Sequence, residues 1–483
     1  MPLRPSVAAL AATILLSACA VGPDYVRPTL PVPAAYKELG DWKPADPRPA
    51  ASGLAWWRAY GDPVLERLES DAGAANQDIR QAEAAYRQAK AIVDEDRAGL
   101  FPTLGGDVGA QRARTNSSGV VRTGTSLSLG LSGSWEPDLW GSVRRTIESG
   151  VASAQASADD LAAARLSIQT TLAQDYVQLR IADQQRELYA NTIAAFTKAS
   201  KLTRAQHDAG VALQSDVSLA EAQLASAQAA AVDLEATRAQ LEHAIAVLTG
   251  RAPAQFTLDP APADQPWAPR MPDTPAGLPS ELLEHRPDIA AAERRAAAAN
   301  ANIGVARAAY FPQLTLSASG GVGAAALGSL FDTPSRVWSL GAALAQAIFD
   351  GGLRTARVAQ AEAAYDISVA QYKQTVLAGF QQVEDQLALL RLLARESTFQ
   401  DQAVRASQQA QQSAIAQYRA GTISYLDVVT TQATLLANQR AAVQLRGRQL
   451  AASITLVSAT GGGWSASDPL AAPTAAASTA QPQ

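Results

Sequence analysis

Two periods organise this chain: a strict alternation of small polar and apolar residues in a few short runs, and apolar steps of three and four along very long ones. The clearest alternating run is Thr125-Ser126-Leu127-Ser128-Leu129-Gly130-Leu131-Ser132-Gly133-Ser134-Trp135. As a strand it places Leu127, Leu129, Leu131 and Trp135 on one face and serine or glycine on the other. Its length of about ten residues suits a tilted strand crossing a bilayer, with Trp135 at the aromatic girdle. The same alternation could face the core of a soluble sandwich, but a face made almost wholly of serine and glycine favours a wet lumen. Leu314 to Gly323 and Trp338 to Ala347 alternate in a similar way, and a further strand-like run follows Pro102, which makes four strands. Four strands cannot close a membrane barrel, and lipid tolerates no open sheet edge, so other chains must complete it.

The longer period predicts helices. From Gly141 to about Gln206, and from Gly351 to about Tyr418, there is no proline and almost no glycine. Each stretch is long enough for a helix of about 100 Å. Tyr365, Val369, Tyr372, Val376, Phe380, Val383, Leu387 and Leu390 form a narrow coiled-coil seam along the second. A helix laid on a globular core would show a similar stripe, but compact domains are much smaller than such a helix. Gly210 and Gly421 end these helices and turn the chain into shorter partners that stop near Gly250 and Gly461. A further helical stretch from about Asp62 to Leu100 ends before Pro102, since the residue ahead of a proline is pushed out of helical geometry.

These elements occur twice. Leu100-Phe101-Pro102-Thr103-Leu104 recurs as Tyr310-Phe311-Pro312-Gln313-Leu314, and His207-Asp208-Ala209-Gly210-Val211 as Tyr418-Arg419-Ala420-Gly421-Thr422. Asp216-Val217 matches Asp427-Val428, and Leu248-Thr249-Gly250 falls opposite Ala459-Thr460-Gly461. The shift stays near 210 positions, the mark of one duplicated unit and not of a solenoid. The expected layout is a signal peptide at 1–18, an anchor and extended segment at 19–60, and a first repeat at 61–250. A proline-rich connector at 251–279, a second repeat at 280–464 and a disordered tail at 465–483 follow. The connectors lack apolar periodicity and should lie extended along the helical body.

Composition narrows the reading. Hydrophobic residues make up 47% of 483 positions but aromatics only 6%, with alanine prominent, so the interior should be thin and the helices close together. A formal net charge of -5 carries no electrostatic footprint for nucleic acid. His207, His243 and His285 lie far apart, no nucleophile elbow or phosphate loop occurs, and Gly320-Gly321-Val322-Gly323 opens no helix. Catalysis, metal and cofactors are therefore not expected. No stretch after the amino-terminal apolar run reaches the roughly 18 apolar residues of a membrane helix, so strands must make any passage. Arg4, the apolar run Val7 to Leu16 and the small residues Ser17 and Ala18 read as a secretory signal. Leu16-Ser17-Ala18-Cys19 resembles the bacterial lipobox, which implies acylation of Cys19, and Ala20 in place of aspartate implies sorting to the outer membrane.

The duplicated plan, the lipobox, the Phe-Pro strand starts, the run Arg286-Pro287-Asp288-Ile289-Ala290-Ala291-Ala292-Glu293 and the Ala-Gly turns together resemble the outer membrane efflux protein family of TolC and OprM. The likeness runs from about Val21 to Trp464 and is nearest the lipoprotein branch that serves resistance-nodulation-division drug efflux pumps. It implies a mainly α protein with a membrane β-barrel portion. Three chains would form a twelve-stranded barrel continued by an α-helical periplasmic tunnel. It also implies an inner-membrane transporter and a periplasmic adaptor as partners.

By the same resemblance, the turns at Gly210, Val211, Tyr418, Gly421 and Thr422 are where adaptors dock, and Asp216, Leu426, Asp427 and Thr430 line the resting closure. Thr430 stands where relatives commonly carry a second aspartate, and Ile423 replaces an arginine of TolC, so a TolC-like ion-pair latch is not implied. From the residues alone, rings of Asp216 or Asp427 would repel one another and attract cations, but each aspartate could equally cap its returning helix. Two other functions fit parts of the sequence. A TolC-like channel for type I protein secretion would generally lack the lipobox, and a coiled-coil adaptor lipoprotein would not need four strands with a serine-glycine face.

Overall fold

The computed structural model describes residues 20–39, 55–118, 120–262, 266–272 and 285–464. Cys19, the preceding signal segment, the tail from 465 and parts of both connectors lie outside that range. In chain order the elements are α1 (Pro63–Ala75), α2 (Gln77–Ala98), β1 (Thr103–Ser117), β2 (Val120–Trp135), α3 (Ser142–Asp208) and α4 (Gln214–Leu248). They are followed by α5 (Pro287–Ala308), β3 (Gln313–Ala324), β4 (Arg336–Ala345), α6 (Leu353–Arg419) and α7 (Tyr425–Ala459). Both α2 and α5 have 22 residues, α3 and α6 have 67, and α4 and α7 have 35. No described helix is long and apolar enough to cross a membrane.

One expectation needs correcting. The stretch from Asp62 to Leu100 is two helices, because Asn76 sits in extended geometry (φ -62°, ψ 132°) between α1 and α2. Its carboxamide oxygen accepts from the backbone N–H groups of Asp78 and Ile79 and so caps α2, while its Nδ2 donates to Leu248 O at 2.9 Å. Asparagine is a strong helix-capping residue, and here the cap outweighs the apolar periodicity that runs through it.

The chain divides into two compact units. The first comprises Met1–Leu30, Ala84–Ala158 and Ala291–Gln374. Its sheet is antiparallel in the order β1-β2-β3-β4. Residues 20–27 run without regular structure against α3 and α5. Val21 N–H donates to Trp140 O, Asn300 Nδ2 to Pro23 O, Tyr25 OH to Glu293 at 2.7 Å, and Arg145 to Asp24 at 2.9 Å. The packing surface of α5 is alanine, with Ala291, Ala296, Ala297, Ala298 and Ala301 buried. Small side chains let backbone approach backbone closely, at little gain in buried area per residue.

The second unit comprises Pro31–Glu83, Asp159–Ala290 and Thr375–Gln483. Trp56, Tyr60, Leu65, Leu68, Leu172, Tyr176, Leu179, Ile245, Leu450 and Ile454 form its main core. Asp62 caps α1 through the N–H groups of Val64 and Leu65, and its second oxygen accepts from Tyr176 OH (2.8 Å) and Trp267 Nε1 (2.7 Å). Burial, then the charge of Asp62, pushes the Tyr176 phenol up. In this unit the predicted seam along α6 is buried at Val376, Val383 and Leu387. Arg286 closes the start of α5 by pairing with Asp288 and donating to Gln382 Oε1 and Ala459 O.

Candidate channel surfaces: the two-faced sheet and the helical turns

Because side chains alternate along a strand and directly paired residues share a face, the register sorts every strand residue. One face carries Leu104, Val108 and Ala110 of β1, and Leu127, Leu129, Leu131 and Trp135 of β2. It continues with Leu314, Leu316, Ala318 and Val322 of β3, and Trp338, Leu340, Ala342 and Leu344 of β4. Leu104, Val108, Leu131, Trp338, Leu340 and Leu344 are all more than half exposed, an apolar surface that no described residue covers. The opposite face carries Ser126, Ser128, Ser132, Ser134, Ser317, Ser319, Ser339 and several glycines. Ser319 and Ser339 share a hydrogen bond of 2.8 Å there, and a side chain at Gly109 would collide with Ser128 Oγ.

The predicted quartet Leu127, Leu129, Leu131 and Trp135 therefore lies on one apolar face as expected, and Trp135 Nε1 donates to Leu100 O at 3.1 Å. The apolar residues of β1 were not legible in the sequence, since Gly105-Gly106-Asp107 breaks the alternation between Leu104 and Val108. Their signal is cross-strand, through Val108 opposite Leu129. Among the described residues, β1 and β4 each pair on one side only.

The turns at the far ends of α3 and α6 are built alike. Gly210, with φ +77°, donates its N–H to His207 O, and Val211 N–H reaches Gln206 O. Gly421, with φ +73°, donates to Tyr418 O, and Thr422 N–H reaches Gln417 O. This is the paired hydrogen-bond pattern of a left-handed glycine helix stop, which a Cβ would strain. Gly250 and Gly461 end α4 and α7 by the same pattern. Val211, Thr422 and both tip glycines are exposed, whereas Tyr418 is half-buried, its hydroxyl on Gln206 Oε1 (2.8 Å) and its ring 5.6 Å from Tyr425.

Asp427 and Asp216 each sit in the first turn of the returning helix, α7 and α4. Asp427 Oδ2 accepts from Ser424 N–H at 3.0 Å and from Ser424 Oγ at 2.7 Å, while Asp216 Oδ2 accepts only from Leu213 N–H, at 3.4 Å. The second aspartate is thus the better held, because leucine at 213 offers no hydroxyl. Leu426, Asp427 and Thr430 are exposed together, while Tyr425, Val428 and Val429 are buried against Ala220 and Ala414. Thr430 Oγ1 spends its proton on Leu426 O at 2.8 Å.

A helical bundle joined to a sheet with one apolar and one hydroxylated face defines an outer-membrane channel. The same fold occurs in the outer-membrane channel OprN, with a TM-score of 0.85 at 31% identity over 92% of this chain and 100% of that one. It occurs also in the open-state outer-membrane channel MtrE of Neisseria gonorrhoeae, with a TM-score of 0.80 at 29% identity over 92% and 98%. The pyoverdine export outer membrane protein OpmQ of Pseudomonas aeruginosa is 34% identical over 465 residues, 94% of this chain and 96% of its own. The toluene efflux pump outer membrane protein TtgC of Pseudomonas putida is 31% identical over 467 residues, 95% and 96%. The outer membrane efflux protein family model matches residues 68–251 and 278–462, and the chain belongs to that family. It is an outer-membrane efflux channel component, mainly α with a membrane β portion, and not an enzyme.

Proposed function

We propose that three copies of the chain close a twelve-stranded barrel in the outer membrane and a helical tunnel in the periplasm, forming the passive exit duct of a tripartite efflux pump. One observation carries this reading: the four-stranded sheet has an apolar face, a serine-glycine face and two edges with no partner strand among the described residues. In lipid those edge N–H and C=O groups must pair, and a ring in which each β4 lies beside the next chain's β1 pairs all of them. The apolar face, with Leu127, Leu129, Leu131 and Trp135, then meets lipid, and the hydroxyl face lines water.

Acyl chains on Cys19 anchor the duct to the outer membrane. A periplasmic adaptor docks at Gly210, Val211, Tyr418, Gly421 and Thr422, and a resistance-nodulation-division transporter in the inner membrane supplies the energy. Asp216, Leu426, Asp427 and Thr430 narrow the tunnel at its periplasmic tip. The cargo is drugs or other small molecules, of the kinds for which OpmQ and TtgC are named, and the pump selects it. Purified protein in a planar bilayer should give single-channel currents of one unit size, and a heat-modifiable trimer should run on a gel. A folded trimer without conductance would overturn the proposal.

A further inference from the structure

Charge on the apolar face of the sheet has one sign and lies toward the hairpin ends of the strands. The first hairpin starts with Thr103 opposite Ser134, and nine residues further along β1 stands Arg112, opposite Thr125. The second starts with Gln313 opposite Ala345, and nine residues further along β3 stands Val322, opposite Arg336. Each hairpin thus presents one arginine at the same step, and Arg114 lies two residues beyond Arg112 on the same face. All three are exposed and make no ion pair among the described residues. That face holds no aspartate or glutamate, since Asp107 pairs with Gly130 on the other.

The level has a physical meaning. Nine residues at about 3.4 Å, tilted by about 40°, rise about 23 Å, close to the height of a barrel's apolar band. From the helical end outward, this face reads Trp135, then leucine, valine, alanine and glycine, then Trp338, and then the arginines. They stand where hydrocarbon gives way to headgroups on the side away from the periplasm.

β1 and β4 are also the two edges of the sheet, so closing the barrel puts Arg336 of one chain on the strand next to Arg112 and Arg114 of the next, and a seam in the register of β2 on β3 sets it diagonal to Arg114. Like charges on neighbouring strands repel. With no carboxylate on that face, an anion between them relieves the repulsion, and guanidinium groups match phosphate oxygens in pairs.

We propose that Arg112, Arg114 and Arg336 form, at each junction between chains, a binding site for the phosphate groups of the phosphorylated glycolipid in the outer leaflet. This rests on the trimeric barrel proposed above. The site is a lipid-facing clamp over the seam, and it makes the outer leaflet part of what holds the trimer closed.

The test uses purified full-length trimer in phosphatidylcholine vesicles containing bisphosphorylated lipid A, its dephosphorylated form, or no glycolipid with inorganic phosphate in the buffer. The phosphorylated lipid should raise the trimer dissociation temperature, and neither other condition should. The Arg112→Gln, Arg114→Gln, Arg336→Gln triple variant should bind it roughly tenfold more weakly or worse, since each lost guanidinium removes charge-assisted hydrogen bonds. The corresponding triple lysine variant should fall between. Equal stabilisation by dephosphorylated lipid, or by inorganic phosphate alone, would overturn the proposal in the wild type even if the glutamine variant fails to assemble. So would a glutamine variant that binds like wild type. Wild-type protein that neither trimerises nor conducts would refute the barrel reading instead, and conductance separates the two failures.

Discussion

Gly22 and Gly304 lie backbone against backbone: a Cβ on Gly22 would come within 2.5 Å of Gly304 Cα, and one on Gly304 within 2.8 Å of Val21 O. This contact seats the amino-terminal segment on α5. Gly304→Leu should therefore lift residues 20–27 off the helix, at a cost of about 1 to 3 kcal/mol for overpacking. Limited proteolysis should then cleave the variant near Pro23 at conditions that leave the wild type whole. Unchanged protection would mean that the segment is held by its polar contacts alone.

Glu69 is 1% exposed, and neither carboxylate oxygen has a partner among the described residues. Burial pushes its pKa from the ordinary 4.5 up to about 9. The unfolded chain releases this proton near 4.5 while the fold keeps it, so stability falls as pH rises between those values, by roughly 1.4 kcal/mol per unit. Glu69→Leu should raise the thermal midpoint at about pH 8 and flatten its pH dependence below pH 9. A midpoint lower than wild type under those conditions would contradict this.

At the tip, Asp427→Asn keeps an acceptor for Ser424 but removes the charge, and Leu426→Ser keeps the charge but removes an exposed apolar side chain. The first should weaken cation preference with little loss of helix stability. The second should raise resting conductance with little change in selectivity. Either leak should sensitise cells to vancomycin. If both variants match wild type in conductance, selectivity and sensitivity, the closure lies elsewhere.

On β2, neighbouring positions should respond in opposite ways. Leu129→Arg puts charge in lipid at about 2 to 4 kcal/mol near the midplane, whereas Ser128→Arg puts it in water and should mainly change conductance. Equal destabilisation, measured by refolding into vesicles, would argue against the assignment of faces.

Labelled palmitate should enter the wild type and not Cys19→Ser, since Cys19 is the chain's one cysteine. Label retained by the variant would remove the anchor from the proposal.

What the sequence made legible follows from how local each signal is. The long helices and their glycine stops at 210, 250, 421 and 461 are written in neighbouring residues, and the structure ends the helices there. The face of β2 is likewise a period-two pattern within eleven residues. The break at Asn76 is hidden because the apolar periodicity runs through its local cap on Asp78 and Ile79, and its second anchor, Leu248 O, lies 172 positions away. The shared face of the apolar residues of β1 and β2, and the matching steps of Arg112 and Arg336 within their hairpins, exist only once strands are paired. The tip aspartates fit two readings in the sequence, and the structure shows each accepting from the backbone N–H at the start of its own helix.

The equal lengths of the paired helices restrict how this sequence can change. The tips of α3 and α6 are joined by Tyr418 on Gln206, and the five-residue turns beyond them, 209–213 and 420–424, hold glycines that cannot slide along the chain. One residue inserted into either 67-residue helix would advance its tip by about 1.5 Å and swing it by about 100°. A viable lineage must therefore lengthen or shorten both helices together, since even seven residues added to one, two whole turns, would carry its tip about 10 Å past the other. Point substitutions can accumulate in the two copies independently, but insertions and deletions are inherited as coupled events.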